Sequence, residues 1–396
     1  TLIILTFFKS YGSHIKGGEI TFKHVSNDDY EITLKIYRDP QGIPVTIPQN
    51  VTFESTTCNQ NFTIPFPYKS HNYLSQLCPS EPSYMKTQEY IFVDTVTLSP
   101  CSDWKIHANI GSRNASITNL NGTGGFNLFI IATMNNIDGV HNNSPQYSFH
   151  PMPYICAGQL FTYSHGGYDI DGDSLHYQFT QALTNPGPPG TPIAFTGAHS
   201  ITNPILTTSG MNLNPSTGEM SFTPTVGSFQ SCAVPILISE YRNNQLIGTY
   251  TREMQVFVVN TCVNEPPNIN GVIITNSGIS GTQLDSNSFS MNNNDSLCFE
   301  ISFTDVNNDS IQITSNVSTN IPGASFSVSN NNSLNPTGIF CWKPNSSISG
   351  INIFTIEAQD NSCPNLASQY FSFDITVDFL TIIENIEEKL KVKISL

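Results

Sequence analysis

Three carboxylates at alternate positions form the stretch of this sequence best suited to chemistry. Asp169, Asp171 and Asp173 are separated by single residues, and Gly172 permits a sharp bend. Because Ca²⁺ takes roughly six to eight oxygen ligands from a flexible loop, carboxylates at this spacing can converge on one cation. We therefore predict a calcium site at this loop. The loop is not an EF-hand, because its twelfth position is Thr180 rather than Glu.

The pattern recurs 136 residues later as Asp305, Asn307 and Asp309, which we predict to form a second, weaker calcium site. The linker residues Asn264 and Glu265 are further candidate ligands for the first loop. The alternative for both loops is a solvated acidic turn whose side chains accept hydrogen bonds from local backbone N–H groups.

Each loop leads into alternating polar and apolar residues, the period of a strand with one buried face. A shared Leu-Asn-Pro phrase with a Thr-Gly turn follows at residues 213–218 and 334–338, and alternating segments close the copies at 254–259 and 370–377. Three correspondences in one order predict a tandem repeat.

Composition favours an all-β protein. Only 11% of the 396 residues are charged, and 26 Gly and 25 Pro disfavour helices while suiting short strands joined by turns. The 25 Phe and 15 Tyr residues indicate a packed core rather than disorder. A net charge of −15 argues against nucleic acid as a partner.

The predicted organisation has five parts. Residues 1–12 read as the remnant of a signal peptide cut near Gly12, with an edge strand as the alternative. Residues 13–142 form an N-terminal β domain, 143–262 and 263–378 are the two repeats, and 379–396 are a tail. In the first domain an opening hairpin (18–25 and 30–37) precedes strands at 51–53, 90–98, 104–110 and 126–134, and residues 56–85 are an irregular excursion. No segment has the ~18 apolar residues of a membrane helix.

Nine cysteines without a Cys-x-x-Cys pair favour disulfides formed in an oxidising compartment. Cys298 and Cys341 flank the second acidic loop on predicted strands and are expected to pair. Cys156 with Cys262 would join the first and last strands of the first repeat, although Cys232 competes for either. Cys58 is expected to pair with Cys78 or Cys101, and the odd total leaves at least one thiol free or paired elsewhere.

Residues 13–39, 113–120 and 240–255 resemble large secreted surface proteins of the Bacteroidota that are associated with gliding motility and type IX secretion. Pro40 stands where that family usually has a cysteine. Residues 382–394 resemble the lead-in to a type IX sorting domain, with an amphipathic helix as the alternative. The repeats resemble cadherin-like, dystroglycan-type immunoglobulin-fold modules, which implies two packed antiparallel sheets in each. Regular turn spacing independently favours a sandwich.

The sequence contains no Gly-x-Ser-x-Gly or His-Glu-x-x-His motif, and the closeness of His165, Asp169 and Ser174 in sequence is not triad geometry. We therefore interpret the chain as a non-enzymatic, secreted or outer-membrane surface protein for adhesion or as a stalk, stiffened by calcium. Its partner would be a cell-surface protein or a glycan. The alternative is a glycan-binding accessory module of a polysaccharide-degradation system, with Trp104 or Trp342 stacking on sugars, although the place of Trp342 in a phrase shared by the two repeats favours a core position. A hydrolase with an unrecognised site is a third possibility.

Overall fold

The computed structural model describes residues 14–378 apart from 75–77, 79, 81–85, 123–125, 138–140, 152–153, 186, 228, 261, 276–280, 294 and 364–365. The predicted signal-peptide remnant (1–12) and tail (379–396) lie outside the described residues. Within the described part, no helix is long and apolar enough to cross a membrane.

Eight strands precede residue 142. They are β1 (Ile15–Ser26), β2 (Asp29–Arg38), β3 (Gln49–Ser55), β4 (Gln60–Phe66), β5 (Tyr68–Leu74), β6 (Thr87–Thr97), β7 (Trp104–Ser112) and β8 (Asn127–Met134). Alternation along β1 and β2 produces the predicted hairpin, whose turn places Asn27 at a φ of 49°, a conformation that Asn tolerates. The prediction of an irregular excursion at 56–85 was wrong for its first half, because β4 and β5 extend the two ends of the sheet.

Eleven strands lie between residues 143 and 262. They are β9 (Gln146–Tyr147), β10 (Tyr154–Cys156), β11 (Phe161–Ser164), β12 (Gly167–Tyr168), β13 (Ser174–Phe179), β14 (Leu183–Thr184), β15 (Thr191–Pro192), β16 (Asn212–Leu213), β17 (Glu219–Phe222), β18 (Gln230–Arg242) and β19 (Gln245–Val259). The β18–β19 hairpin turns on Asn243 and Asn244, which both have positive φ, as a tight two-residue hairpin requires.

The remaining elements are β20 (Asn268–Ile274), β21 (Thr282–Gln283), β22 (Ser288–Asn292), β23 (Leu297–Thr304), β24 (Ile311–Ser315), α1 (Val317–Asn320), β25 (Ser325–Ser329), β26 (Thr337–Trp342), β27 (Gly350–Asp360) and β28 (Ser368–Asp378). They form one sheet of four strands and one of five, with a shared core that includes a stack of Phe289, Phe299, Phe340, Phe354 and Phe373.

The two repeats have the same strand order. One sheet of the first repeat has the order β11–β17–β16. The equivalent sheet of the second repeat has the order β23–β26–β25, with β20 added beside β23. In the opposite sheet, β13 or β24 pairs with the long hairpin β18–β19 or β27–β28. A short strand, β10 or β22, then pairs parallel with the last strand. The protein is therefore all-β, with tandem immunoglobulin-like sandwiches after N-terminal strands.

The predicted boundary between residues 142 and 143 does not separate two hydrophobic cores. Strand β19 pairs with β1 through Gly17–Glu19 and with β8, so both regions share one 12-stranded sheet. Their apolar side chains also form one cluster. Buried ion pairs lie at this junction: Arg113 donates to both carboxylate oxygens of Glu253 at 2.8 and 2.7 Å, and Arg252 contacts Glu19.

The repeats pack side by side rather than end to end. Strands β11 and β17 lie against β28, where hydrogen bonds accompany an aromatic contact between Tyr163 and Tyr370. The Ser372 N–H donates to Glu219 Oε2 at 2.6 Å, and the Thr162 N–H donates to Gln369 Oε1 at 2.6 Å. A row of paired polar groups of this kind holds a defined arrangement, because each group would be left unsatisfied if the modules shifted.

Four disulfides connect the described residues, and the two predicted pairs, Cys156–Cys262 and Cys298–Cys341, are both present. The latter joins neighbouring strands of one sheet. Cys58 pairs with Cys101, and Cys232 is a buried free thiol. Cys78 pairs with Cys363 across 285 residues and ties the N-terminal region to the second repeat.

Candidate calcium sites at two equivalent loops

The first acidic loop is a compact turn built around one carboxylate. Asp169 Oδ1 accepts hydrogen bonds from the backbone N–H groups of Asp171 at 2.8 Å and Asp173 at 3.1 Å. Gly172 has a φ of 82°, which lets the chain reverse between them. The N–H of Asn143, in the segment that enters the repeat, donates to Asp171 Oδ2 at 2.8 Å.

The second loop repeats these contacts. Asp305 Oδ1 accepts from the N–H groups of Asn307 at 2.8 Å and Asp309 at 3.1 Å. Asn308, with a φ of 58°, takes the place of the glycine. The N–H of Glu265 donates to Asn307 Oδ1 at 2.7 Å, as the entering segment does in the first loop. The two loops are therefore structural copies, down to the backbone bond from the linker.

A further acidic residue reaches each loop from the long hairpin. Glu240 on β18 lies opposite Leu175, and Asp360 on β27 lies opposite Ile311. Both partners come two residues after the last carboxylate of their loop. Asn142 Nδ2 donates to Glu240 Oε2 at 2.8 Å, and Asn264 Nδ2 donates to Asp360 Oδ2 at 2.7 Å. Neither residue was predicted as a ligand from the sequence; the available signal was an acidic residue near the end of the strand before the closing strand.

Arg242 distinguishes the first loop from the second. Its Nε donates to Asp173 Oδ1 at 2.8 Å, and its Nη2 lies 3.3 Å from Asp171 Oδ2. The same Nη2 donates to Asn142 Oδ1 at 2.9 Å. The hydrogen bond to Asp173 raises the pKa of Arg242 still further, so the guanidinium stays charged. A permanent cation therefore already neutralises two of the three predicted ligands.

In the second loop, carboxylate oxygens of three acidic residues lie close together. One carboxylate oxygen each from Asp305, Asp309 and Asp360 lie within 4.8 Å of one another. Asp305 Oδ2 and Asn264 Oδ1 are buried and have no hydrogen-bond partner among the described residues. Burial raises the pKa of Asp360 to about 6, and the nearby charge of Asp305 adds to the rise. Crowded oxygens that lack donors fit a hard cation.

In the first loop the two corresponding acids, Asp169 and Glu240, share a proton. Glu240 is fully buried, and Tyr250 donates its hydroxyl hydrogen to Glu240 Oε2. Burial, together with the neighbouring Asp169, raises the pKa of Glu240 to about 9, and burial raises the pKa of Asp169 to about 6. At neutral pH Glu240 is thus the protonated member of the pair.

The predicted ligands of the two loops therefore have different surroundings. Asp169, Asp171 and Asp173 lie together, but the last two contact Arg242. Asp305 and Asp309 lie together with Asp360.

The linker residues were assigned to the wrong loop: Asn264 and Glu265 contact the second loop, because each linker folds back onto the repeat that it opens. Asn307 uses its side-chain oxygen for the Glu265 N–H, so it is a poor additional ligand.

Other candidates from the sequence take structural positions. His165 is fully buried, with Nδ1 2.7 Å from Arg252 Nη1, and burial lowers its pKa well below the usual value. Ser174 donates to the Tyr241 carbonyl, so these residues do not form a triad with Asp169. Trp104 and Trp342 are only 1% and 3% exposed, which excludes the expected sugar stacking on either indole.

No family model matches the chain, and no curated protein matches it. Among solved structures, the Dpr2 Ig1-Ig2 complex with DIP-Theta Ig1-Ig3 is 9% identical with a TM-score of 0.19, covering 91% of this chain and 99% of that chain. Extracellular cadherin domains 1–4 of protocadherin gamma B7 are 11% identical with a TM-score of 0.19, covering 89% and 84%. An endo-fucoidan hydrolase of glycoside hydrolase family 107 is 13% identical with a TM-score of 0.19, covering 79% of this chain and 39% of that chain. Likenesses this low carry no argument about activity, and the fold class rests on the strand order itself.

Proposed function

We propose that this chain is a non-enzymatic part of a secreted or cell-surface protein, acting in adhesion or as a rigid spacer. The observation that carries the proposal is that a disulfide joins the N-terminal region to the second repeat and that hydrogen bonds join the two repeats. Cys78–Cys363 closes a loop of 285 residues across the regions, and the part-buried hydrogen bonds of Glu219 and Gln369 hold the repeats side by side. A bundle of sandwiches fastened in this way presents loops on a scaffold that resists shear and proteolysis.

Export supports the same role. Four disulfides are typical of proteins that fold in an oxidising compartment. The resemblance to Bacteroidota surface proteins makes type IX secretion the proposed route and the outer-membrane surface the proposed location.

Calcium is proposed as a structural ligand of the second repeat only. Asp305, Asp309 and Asp360 would supply carboxylate oxygens, and Asn264 an amide oxygen from the linker. A bound cation would offset the repulsion among these carboxylates and tie the linker to the repeat that it opens. Arg242 performs the equivalent role in the first repeat.

Surface exposure and retention under flow test the adhesive role. Cells that produce the protein are expected to be labelled by an antibody against the folded chain without permeabilisation. Beads coated with the oxidised chain should be retained under flow on the producing cells or on their extracellular matrix. Beads coated with reduced and alkylated chain are the control and should detach. Equal retention of both bead types, or labelling only after permeabilisation, would contradict the proposal.

A further inference from the structure

A groove runs along the junction between the two repeats. Its first part, a cavity of about 590 Å³, lies between residues 147–151 and the outer faces of β24 and β27. Its second part, about 440 Å³, lies between the first acidic loop and residues 347–353. Tyr168 lines both parts, so the cavities adjoin at its side chain. Together they form an elongated site suited to a linear ligand rather than a compact one.

The walls of this groove combine rings with small polar groups. Tyr147, Phe149 and Tyr168 are partly exposed and supply ring surface. Between them stand hydroxyl and amide side chains, including Thr319 and Ser349. Flat apolar surface beside many hydrogen-bonding groups is the environment that sugar rings require, because a sugar has apolar C–H faces and an equatorial rim of hydroxyls.

A Tyr hydroxyl and an Asn amide oxygen are among the buried polar atoms on this groove that have no partner within the described residues. They are the hydroxyl of Tyr177, whose side chain is 2% exposed, and Oδ1 of Asn320. The absence of a side chain at Gly167 leaves room for the Tyr177 hydroxyl, since a Cβ there would lie 2.1 Å from that oxygen. A buried hydroxyl and amide oxygen without partners are costly, and a ligand hydroxyl can pair with either.

The charge of the groove restricts the ligand class further. None of the described residues lining either part is Lys or Arg, whereas Asp169, Asp173 and Glu357 contribute carboxylates. Arg242 already pairs with Asp173, so a phosphate, sulfate or uronate group would meet Asp169 and Glu357 with no Lys or Arg among the described lining residues to pair with it. The ligand is therefore expected to be uncharged.

We propose that this groove binds a neutral oligosaccharide, with Tyr168 stacking on a sugar ring at its centre. The site deepens the adhesive function proposed above and rests on it, because it names the class of surface ligand. The indoles expected from sequence to stack on sugars take no part in it.

A glycan array of neutral and anionic oligosaccharides, probed with the whole chain, tests the proposal. Binding to neutral linear glycans is expected, followed by calorimetric titration with the best of them. Tyr168→Ala should weaken that affinity by about tenfold or more, as expected for a central aromatic contact. Ser349→Trp, an exposed position that fills the second part, should do the same. Tyr68→Ala is the matched control, because Tyr68 is exposed on β5 outside the groove.

Three results would overturn the proposal: no neutral glycan bound at millimolar concentration, preference for sulfated or uronate glycans, or unchanged affinity in both groove variants. Melting curves of each variant separate loss of binding from loss of folding. Bead retention under flow is read independently. Retained adhesion without glycan binding would therefore remove the groove proposal and leave the adhesive function, while loss of both would remove the two together.

Discussion

The two acidic loops differ in one decisive contact. Both are built on an Asp that accepts two backbone N–H groups, and both receive a linker N–H and a linker Asn amide. In the first, Arg242 contacts two carboxylates and satisfies the linker amide oxygen. In the second, the equivalent amide oxygen, on Asn264, is buried and has no hydrogen-bond partner among the described residues.

We propose that one backbone design is completed by a side-chain cation in the first repeat and by a metal ion in the second. A guanidinium supplied by the chain requires no exogenous ligand and is insensitive to calcium concentration. A metal site makes the stability of its module depend on the surroundings by mass action. On this account only the second repeat senses calcium.

The largest effect is expected from converting the first loop into the second. Arg242→Ser leaves Asp171 and Asp173 without their cation, which should lower the free energy of unfolding by about 2–4 kcal/mol without calcium. Millimolar calcium should restore much of the loss, because the vacated loop resembles the second site. Thermal melting in EDTA and in 10 mM CaCl₂ measures both quantities. A variant as stable as the parent in EDTA would show that Arg242 is not the substitute cation.

Removing the central carboxylate of each loop should have opposite consequences for calcium. Asp305→Asn is expected to abolish the calcium-induced rise in melting temperature, a stabilisation of about 2.7 kcal/mol when calcium exceeds its Kd by about 100-fold. Asp169→Asn, its matched control, should retain that rise. The comparison fails if the two variants respond alike.

The shared proton of the first loop should make stability depend on pH. The folded pKa of Glu240, about 9, lies above the value of 4.5 for a free Glu, so its contribution is full below about 4.5 and declines as pH rises toward 9. Glu240→Gln should therefore add about 1–3 kcal/mol of stability at pH 8 and little at pH 4. Chemical denaturation at the two pH values measures the difference, and an equal effect at both would exclude this titration.

A smaller effect is expected on calcium binding itself. Because the pKa of Asp360 is about 6, protons compete with calcium as pH falls through that value. The calcium-induced rise in melting temperature should be less than half as large at pH 5 as at pH 7.5. Arg242 keeps its proton throughout this range, so acid does not displace the cation that completes the first loop. A rise independent of pH would place the metal away from Asp360.

Local features of the fold could be predicted from the sequence, and distant ones could not. The acidic loops, the opening hairpin and the Thr-Gly phrases are set by neighbouring residues, and their order revealed the repeat. Glu240 and Asp360 reach the loops only through strand pairing, which no local pattern encodes. Arg242 was visible in the sequence, but its contact with Asp173 depends on the same pairing.

The joining of the regions was hidden for a related reason. Alternation in β1 and β19 predicted two strands but could not predict that Glu19 would pair with Arg252 in one sheet. Likewise, Cys78 and Cys363 lie 285 residues apart, and cysteine spacing alone leaves many pairings open. The extended stalk expected from tandem repeats was replaced by lateral packing because polar residues on β11, β17 and β28 bond to one another.

Calorimetric titration of the whole chain with calcium at pH 7.5 tests the central claim most directly. We expect one bound ion per chain, which is lost in Asp305→Asn, kept in Asp169→Asn and joined by a second ion in Arg242→Ser. Two ions bound by the parent chain, or none, would contradict the claim that a guanidinium completes one loop and calcium the other.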